Sequence, residues 1–212
     1  KYNIKKEQLL KKKKKYWLIL LILIIISVCG LIFFKKSVKN DKVGNNKNSQ
    51  EIVDYILNLS SYETQITVTV TSNKNSNKYI LKQNYQAPNI SSQEVIEPSN
   101  IAGVKIENDG TNLKIENSSL NINKILENYS YLGNNCLDLS TFISDYKENN
   151  ESSFEEKDTE IIMNTISNTE NIYTHEKTLH IDKNTAKPTQ MEIKDNKQNT
   201  TIYILYNEVK IK

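Results

Sequence analysis

Hydrophobic and polar residues are arranged along this chain in three distinct ways. Tyr16 to Phe34 is an unbroken uncharged run, YWLILLILIIISVCGLIFF. As a helix of nineteen residues it spans roughly 28 Å, close to the hydrocarbon thickness of a bilayer. Residues 35–49 are polar and aperiodic, the pattern of a flexible stalk. From residue 50 onward the apolar positions recur, first at helical spacing and then mostly at every second residue.

Asn48 and Glu51 have the spacing of a capping box, and Ile52, Val53, Ile56, Leu57 and Leu59 gather on one side of the helix that follows. In YETQITVTVT, Tyr62, Ile66, Val68 and Val70 face one way and Glu63, Gln65, Thr67 and Thr69 the other, which predicts a strand with one dry face. SNKNSN is a turn into KYILKQNY, where Tyr79, Leu81 and Tyr85 alternate with Lys82 and Asn84. VKIENDGTNLKIE reads as a hairpin turning at Asp109-Gly110, with Ile106 opposite Leu113, Val104 opposite Ile115 and Lys105 opposite Lys114. Two helices are predicted to interrupt the sheet. One runs over LNINKILENY, from Ile122, Ile125, Leu126 and Tyr129; the other uses Leu139, Phe142, Ile143 and Tyr146 with Asp138 as its cap.

KENNESSFEEKD reads as a charged loop, and strands return in EIIMNTI, IYTHEKTLHI, PTQMEI and TIYILYNEVKI. In the last of these, Ile202, Ile204 and Tyr206 alternate with Tyr203 and Leu205, so both faces are apolar and both call for cover. The α-β-α-β periodicity that parallel sheets need is missing. The expectation is therefore one α+β domain built on an antiparallel sheet.

Charge refines the picture of the first part of the chain. All 28 basic residues are lysine, and ten of them lie in residues 1–36 against the single acid Glu7. Lysines on the near side of the apolar run place residues 1–15 in the cytoplasm and the domain outside. Tyr16, Trp17, Phe33 and Phe34 are the interfacial residues of that anchor. The same run holds Ile26-Ser27-Val28-Cys29, which looks like a lipoprotein processing signal with Cys29 as the candidate lipidation site. Val28 is branched where such a signal takes a small residue, and the sequence stays apolar to Phe34. Either anchor tethers the same domain on the same side. After residue 36 the acids outnumber the lysines, so the folded part lacks the clustered positive charge of a nucleic-acid binder.

Candidates for chemistry are few. His175 and His180 are five apart on one expected strand, which points them to opposite faces and keeps them from sharing a metal. Zinc-type Cys/His spacing and a GxSxG elbow are both lacking. Cys136 is the one cysteine beyond the apolar run and reads as a small buried residue; Glu155-Glu156 and Asp158-Glu160 read as a solvated charge run. No catalytic, cofactor or metal residue is assigned. Twelve tyrosines suit either a sheet that keeps ring area exposed for contact or strands filled for β-propensity.

The stretch YETQITVTVTSNKNSNKYILKQNYQAPNISSQEVIEPSNIAGVKIENDGTNLKIEN, with LHIDKNTAKPTQMEIKDNKQNTTIYILYNEVKI near the end, resembles the germination lipoprotein GerS family of spore-forming clostridia, part of the LolA-like group. The resemblance covers nearly all of residues 50–212. It implies a curved antiparallel half-barrel with helices packed in its concave face, and a non-enzymatic role. The implied partner is a CwlD-type zinc amidase, activated for muramic-δ-lactam formation in the spore cortex, with the protein on the forespore membrane facing the intermembrane space. An alternative from the same group is a carrier or sensor that holds an acyl chain in the half-barrel. An edge strand is the expected contact surface, either extending a partner's sheet or swapping within a homodimer.

Overall fold

The computed structural model describes residues 47–129, 135–168 and 171–211, all within the unit Lys42–Lys212. The anchor residues Tyr16, Trp17, Phe33 and Phe34 and the candidate lipidation site Cys29 lie outside the described residues.

Eleven strands form one antiparallel sheet. The strands are β1 (Ser61–Thr71), β2 (Ser76–Gln86), β3 (Ile90–Glu97), β4 (Lys105–Asn108), β5 (Leu113–Asn117), β6 (Ile122–Leu126), β7 (Ser153–Glu156), β8 (Glu160–Ile166), β9 (Glu176–Asp182), β10 (Lys187–Lys194) and β11 (Thr200–Ile211). Their spatial order is β6-β5-β4-β3-β2-β1-β11-β10-β9-β8-β7. The chain meanders outward from β1 to β6, crosses through helix α2 (Leu139–Glu148), and meanders back from β7 to β11, which closes against β1. The sheet is open, with β6 and β7 at its edges.

Helix α1 (Ser49–Leu57) starts where the capping box requires. Asn48 Oδ1 accepts from the Glu51 amide at 2.8 Å and Glu51 Oε2 accepts from the Asn48 amide at 3.1 Å, so two amides left over at the helix start are satisfied. Asn48→Ala removes one of these bonds, and a loss of about 1 kcal/mol is expected in the unfolding free energy measured by urea titration.

Both helices lie on one face of the sheet. Ile52, Val53 and Ile56 of α1 and Leu139, Phe142 and Ile143 of α2 share a core with Tyr62, Ile66, Val68, Leu81, Met163, Leu179, Ile181, Met191, Ile193, Ile202 and Ile204. The period-two reading of β1 holds: Tyr62, Ile66 and Val68 are buried, with Thr64 among them. Hydrophobic burial on this one face is what fixes the strand register, since a slip by one residue would turn every apolar side chain outward.

Several expectations from the sequence are corrected. LNINKILENY forms the strand β6, bounded by Asn121 at φ 52 and Asn128 at φ 57, two left-handed residues that asparagine tolerates and that a continuous helix would not contain. The charged segment expected as a loop contributes β7, and β3 arises where the sequence pattern predicts no strand. The hairpin turns over four residues, because Asp109 Oδ1 accepts from the amides of Thr111 and Asn112. The register therefore moves by two, pairing Ile106 with Ile115, Glu107 with Lys114 and Lys105 with Glu116, and the expected lysine pair does not form. His175 precedes β9 instead of lying on it. Only one face of β11 is covered: Ile202, Ile204 and Tyr206 are buried, while Leu205 remains 39% exposed.

Candidate partner-binding surface

Three regions could carry function: the helix-bearing inner face, the opposite outer face, and the edges. On the inner face the helices pack over β1, β2 and β8–β11. Phe142, Ile52 and Ile56 are fully buried against the strands. A gap of about 370 Å³ lies between α2 and the β2–β4 side and is lined by polar groups, among them Ser140, Thr141, Ser144, Lys147 and Asn108. Sites for small apolar ligands are mainly lined by hydrophobic side chains, so this gap is a poor berth for an acyl chain.

Under α2 lies a buried polar cluster. Lys177 on β9 donates to Asp145 Oδ2 on α2 at 2.5 Å, with the two side chains 1% and 5% exposed. Asp145 Oδ1 also accepts from the Asn168 amide. Asp138 stands at the helix N-cap as the sequence suggested, but its carboxylate makes no capping bond. It accepts instead from Gln83 Nε2 on β2 at 2.9 Å. Gln83 Nε2 also donates to Gln93 Oε1, which accepts in turn from Asn135 Nδ2. This network holds the segment before α2 onto β2 and β3. Burial drives the Asp138 carboxyl from 3.8 up to about 7, with the Lys177 ammonium opposing the rise. The same burial holds the Tyr62 and Tyr206 hydroxyls well above the usual tyrosine range, with the Asp138 charge adding to it. Shifted groups of this kind often mark functional sites. Here Asp138 lines neither the polar gap nor the large outer groove, and its partners come from the scaffold, so the cluster acts on stability.

The residues singled out for chemistry are far from one another in role. His175 is exposed at the mouth of β9, and His180 Nδ1 contacts Glu160 Oε2 at 2.9 Å. Cys136 is half-buried beside the core, and burial raises its thiol pKa. Glu156 pairs with Lys183, and Glu155 with Lys157 at 3.4 Å. Among the described residues no three His, Cys, Asp or Glu side chains come together as metal ligands. Tyr62 and Tyr206 are buried, Tyr62 stacks on Tyr85 at 5.3 Å, and only Tyr173 among the described tyrosines is exposed, at 66%.

The outer face is polar and internally matched. One row runs Glu63, Asn84, Ser92, Glu107, Lys114 and Ile125 across six strands and lines a groove of about 930 Å³. The next row alternates in sign through Lys82, Glu94, Lys105 and Glu116. Lys105 approaches Glu107 and Lys114 approaches Glu116, each at 2.5 Å, and Lys114 reaches Glu107 at 3.8 Å. Exposed pairs of this kind contribute little stability, but they leave no field of one sign that would draw a polyanion.

Among the described residues no helix is long and apolar enough to cross a membrane. The fold is similar to the crystal structure of an uncharacterized conserved protein from Thermus thermophilus, at 11% identity and TM-score 0.51, covering 78% of this chain and 88% of that one. Lower similarity is found to a chain of the structure of the CwlD amidase from Clostridioides difficile in complex with the GerS lipoprotein, at 23% identity and TM-score 0.49, covering 77% and 96%. A LolA superfamily protein from Nitrosomonas europaea is similar at 11% identity and TM-score 0.41, covering 78% and 94%. No curated protein matches. A family model described as Sporulation protein YdcC-like matches residues 13–212, nearly the whole chain, and the chain belongs to that family.

Proposed function

We propose that this protein is a membrane-anchored, non-enzymatic sporulation factor that binds and activates a CwlD-type N-acetylmuramoyl-L-alanine amidase for muramic-δ-lactam formation in the spore cortex. The observation that carries the reading is the family match over residues 13–212, which ties the chain to sporulation. The partner class comes from the resemblance to the GerS family in the segments from Tyr62 to Asn117 and from Leu179 to Ile211. The geometry supports an adaptor: the protein's own helices pack on the inner face over β1, β2 and β8–β11, and His175, His180, Cys136 and the acids do not assemble into a reactive group of side chains. In this reading the zinc and the chemistry belong to the amidase, and the domain lies on the forespore membrane facing the intermembrane space.

The test is co-purification of the full chain in detergent with the cognate amidase, together with zinc-dependent amidase turnover with and without it. A stable complex and faster turnover are expected; no complex and unchanged turnover would remove the reading. Intact mass of the membrane-extracted protein tests the anchor separately. An uncleaved chain indicates the Tyr16–Phe34 helix, and a chain beginning at an acylated Cys29 indicates a lipoprotein.

A further inference from the structure

The two edges of the sheet are guarded unequally. An open edge offers unpaired backbone amides and carbonyls to any extended chain, and proteins usually blunt it with short strands and charge. β7 follows that rule: it is four residues long, carries Glu155 and Glu156, and turns its one apolar side chain, Phe154, toward the core. β6 is also short, at five residues, and carries one lysine, but unlike β7 it leaves its apolar side chains in solvent. Ile122 is 37% and Ile125 60% exposed, and Leu120 just before the strand is 45% exposed. Ile122 and Leu126 lie in the same inner rows as Asn117 and Leu113, and Ile125 faces outward beside Lys114.

The only charge within β6 is Lys124. It sits on the inner face next to Ile115 and has no ion pair among the described residues. Its neighbours in the same wing, Lys105 and Lys114, each meet a glutamate. Among the described residues no strand pairs with β6 on the side away from β5, so Lys124 faces an open edge there. A second copy of this chain does not supply that strand well. The two-fold register that pairs all five residues of β6 with their counterparts sets Lys124 directly against another Lys124, and like charges in that position repel.

We propose that β6 is a docking edge for an extended segment of a different polypeptide. That segment carries an acidic residue opposite Lys124, apolar residues two positions to either side to continue the Ile122 and Leu126 rows, and a further apolar residue over Ile125. Backbone hydrogen bonds supply the affinity and the alternate side chains the selectivity, as in strand addition to other sheet edges. The inference does not depend on the partner being an amidase.

The test uses the full chain in detergent and two blocked ten-residue peptides built around Val-Val-Glu-Val-Val and Val-Val-Lys-Val-Val with threonine at both ends, so that valine lies both in the Ile122 and Leu126 rows and over Ile125. Binding is read by fluorescence anisotropy and by amide shifts in β6. The wild-type protein is expected to prefer the glutamate peptide by roughly fivefold, and Lys124→Glu is expected to invert that preference. Ile125→Lys, an exposed position that the fold does not need, is expected to weaken both peptides. Unchanged preference in Lys124→Glu, undiminished binding in Ile125→Lys, or no binding of either peptide at millimolar concentration would each overturn the proposal. So would a dimer in light scattering that Lys124→Glu or Ile125→Lys alters, since the occupant would then be a second copy.

Discussion

Lys177→Met is expected to lower the unfolding free energy by about 3–5 kcal/mol, because it strands a buried carboxylate. Asp145 is 5% exposed at its side chain, and its second oxygen is already taken by the Asn168 amide. Among the described residues, the ammonium of Lys177 is the group that balances its charge in that position. The pair joins α2 to β9, so the helix that crosses the inner face depends on it. Removing both partners together, as in Lys177→Met with Asp145→Leu, replaces an ion pair by apolar bulk and is expected to recover most of the loss. Urea denaturation of the two single variants and the double variant measures this. A single-variant loss below about 1 kcal/mol would mean that water reaches the pair and that α2 is held by its apolar residues alone.

Asp138 is expected to make stability fall as pH rises toward neutrality. Its carboxyl is held at about 7 in the folded protein against 3.8 ordinarily, so the native state keeps the proton where the unfolded chain has released it. The folded state then binds more protons between those values, and stability decreases with pH across that window. The contribution is whole below about pH 4 and is lost as pH rises through about 7. Asp138→Asn keeps an oxygen for Gln83 and has no charge to bury. The variant and the wild type are expected to be similar near pH 4, with the variant gaining on the order of 1 kcal/mol for each further pH unit up to about 7. Thermal unfolding from pH 4 to 8 reads the divergence, and parallel curves would show that the site is hydrated. Because Lys177 opposes the rise at Asp138, Lys177→Met should also move the Asp138 midpoint upward in a carbon-detected titration.

Where the sequence has a strong period and a local stop signal, the fold was legible. β1 shows period two over ten residues, α1 has its capping box, and the spacing of Leu139, Phe142 and Ile143 describes α2. β6 failed because Ile122, Ile125 and Leu126 satisfy a helical period as well as they satisfy five residues of strand. Pairing with β5 decided the matter, and the two left-handed asparagines were the available signal. β3 was missed because its inner positions include Ser91 and Gln93, polar residues that break the apolar alternation; Gln93 is half-buried and accepts from Gln83 and Asn135. The docking edge was not legible in composition at all. Being at an edge is a property of the strand order, and Lys124 looks like any surface lysine until β5 is placed on one side of it and, among the described residues, no strand on the other.

The closure of β11 against β1 has a consequence for synthesis. Thr64 donates its hydroxyl to the Glu208 carbonyl at 2.7 Å across 144 residues of chain, and the whole centre of the sheet depends on contacts of that range. Such pairings form late, because a long loop must first be closed. Until β11 has been made, the β1–β6 meander has an eleven-residue strand with one side bare. Until β11 pairs, that bare side is open to other chains, and truncation within Thr200–Ile211 is expected to leave an aggregation-prone half-sheet.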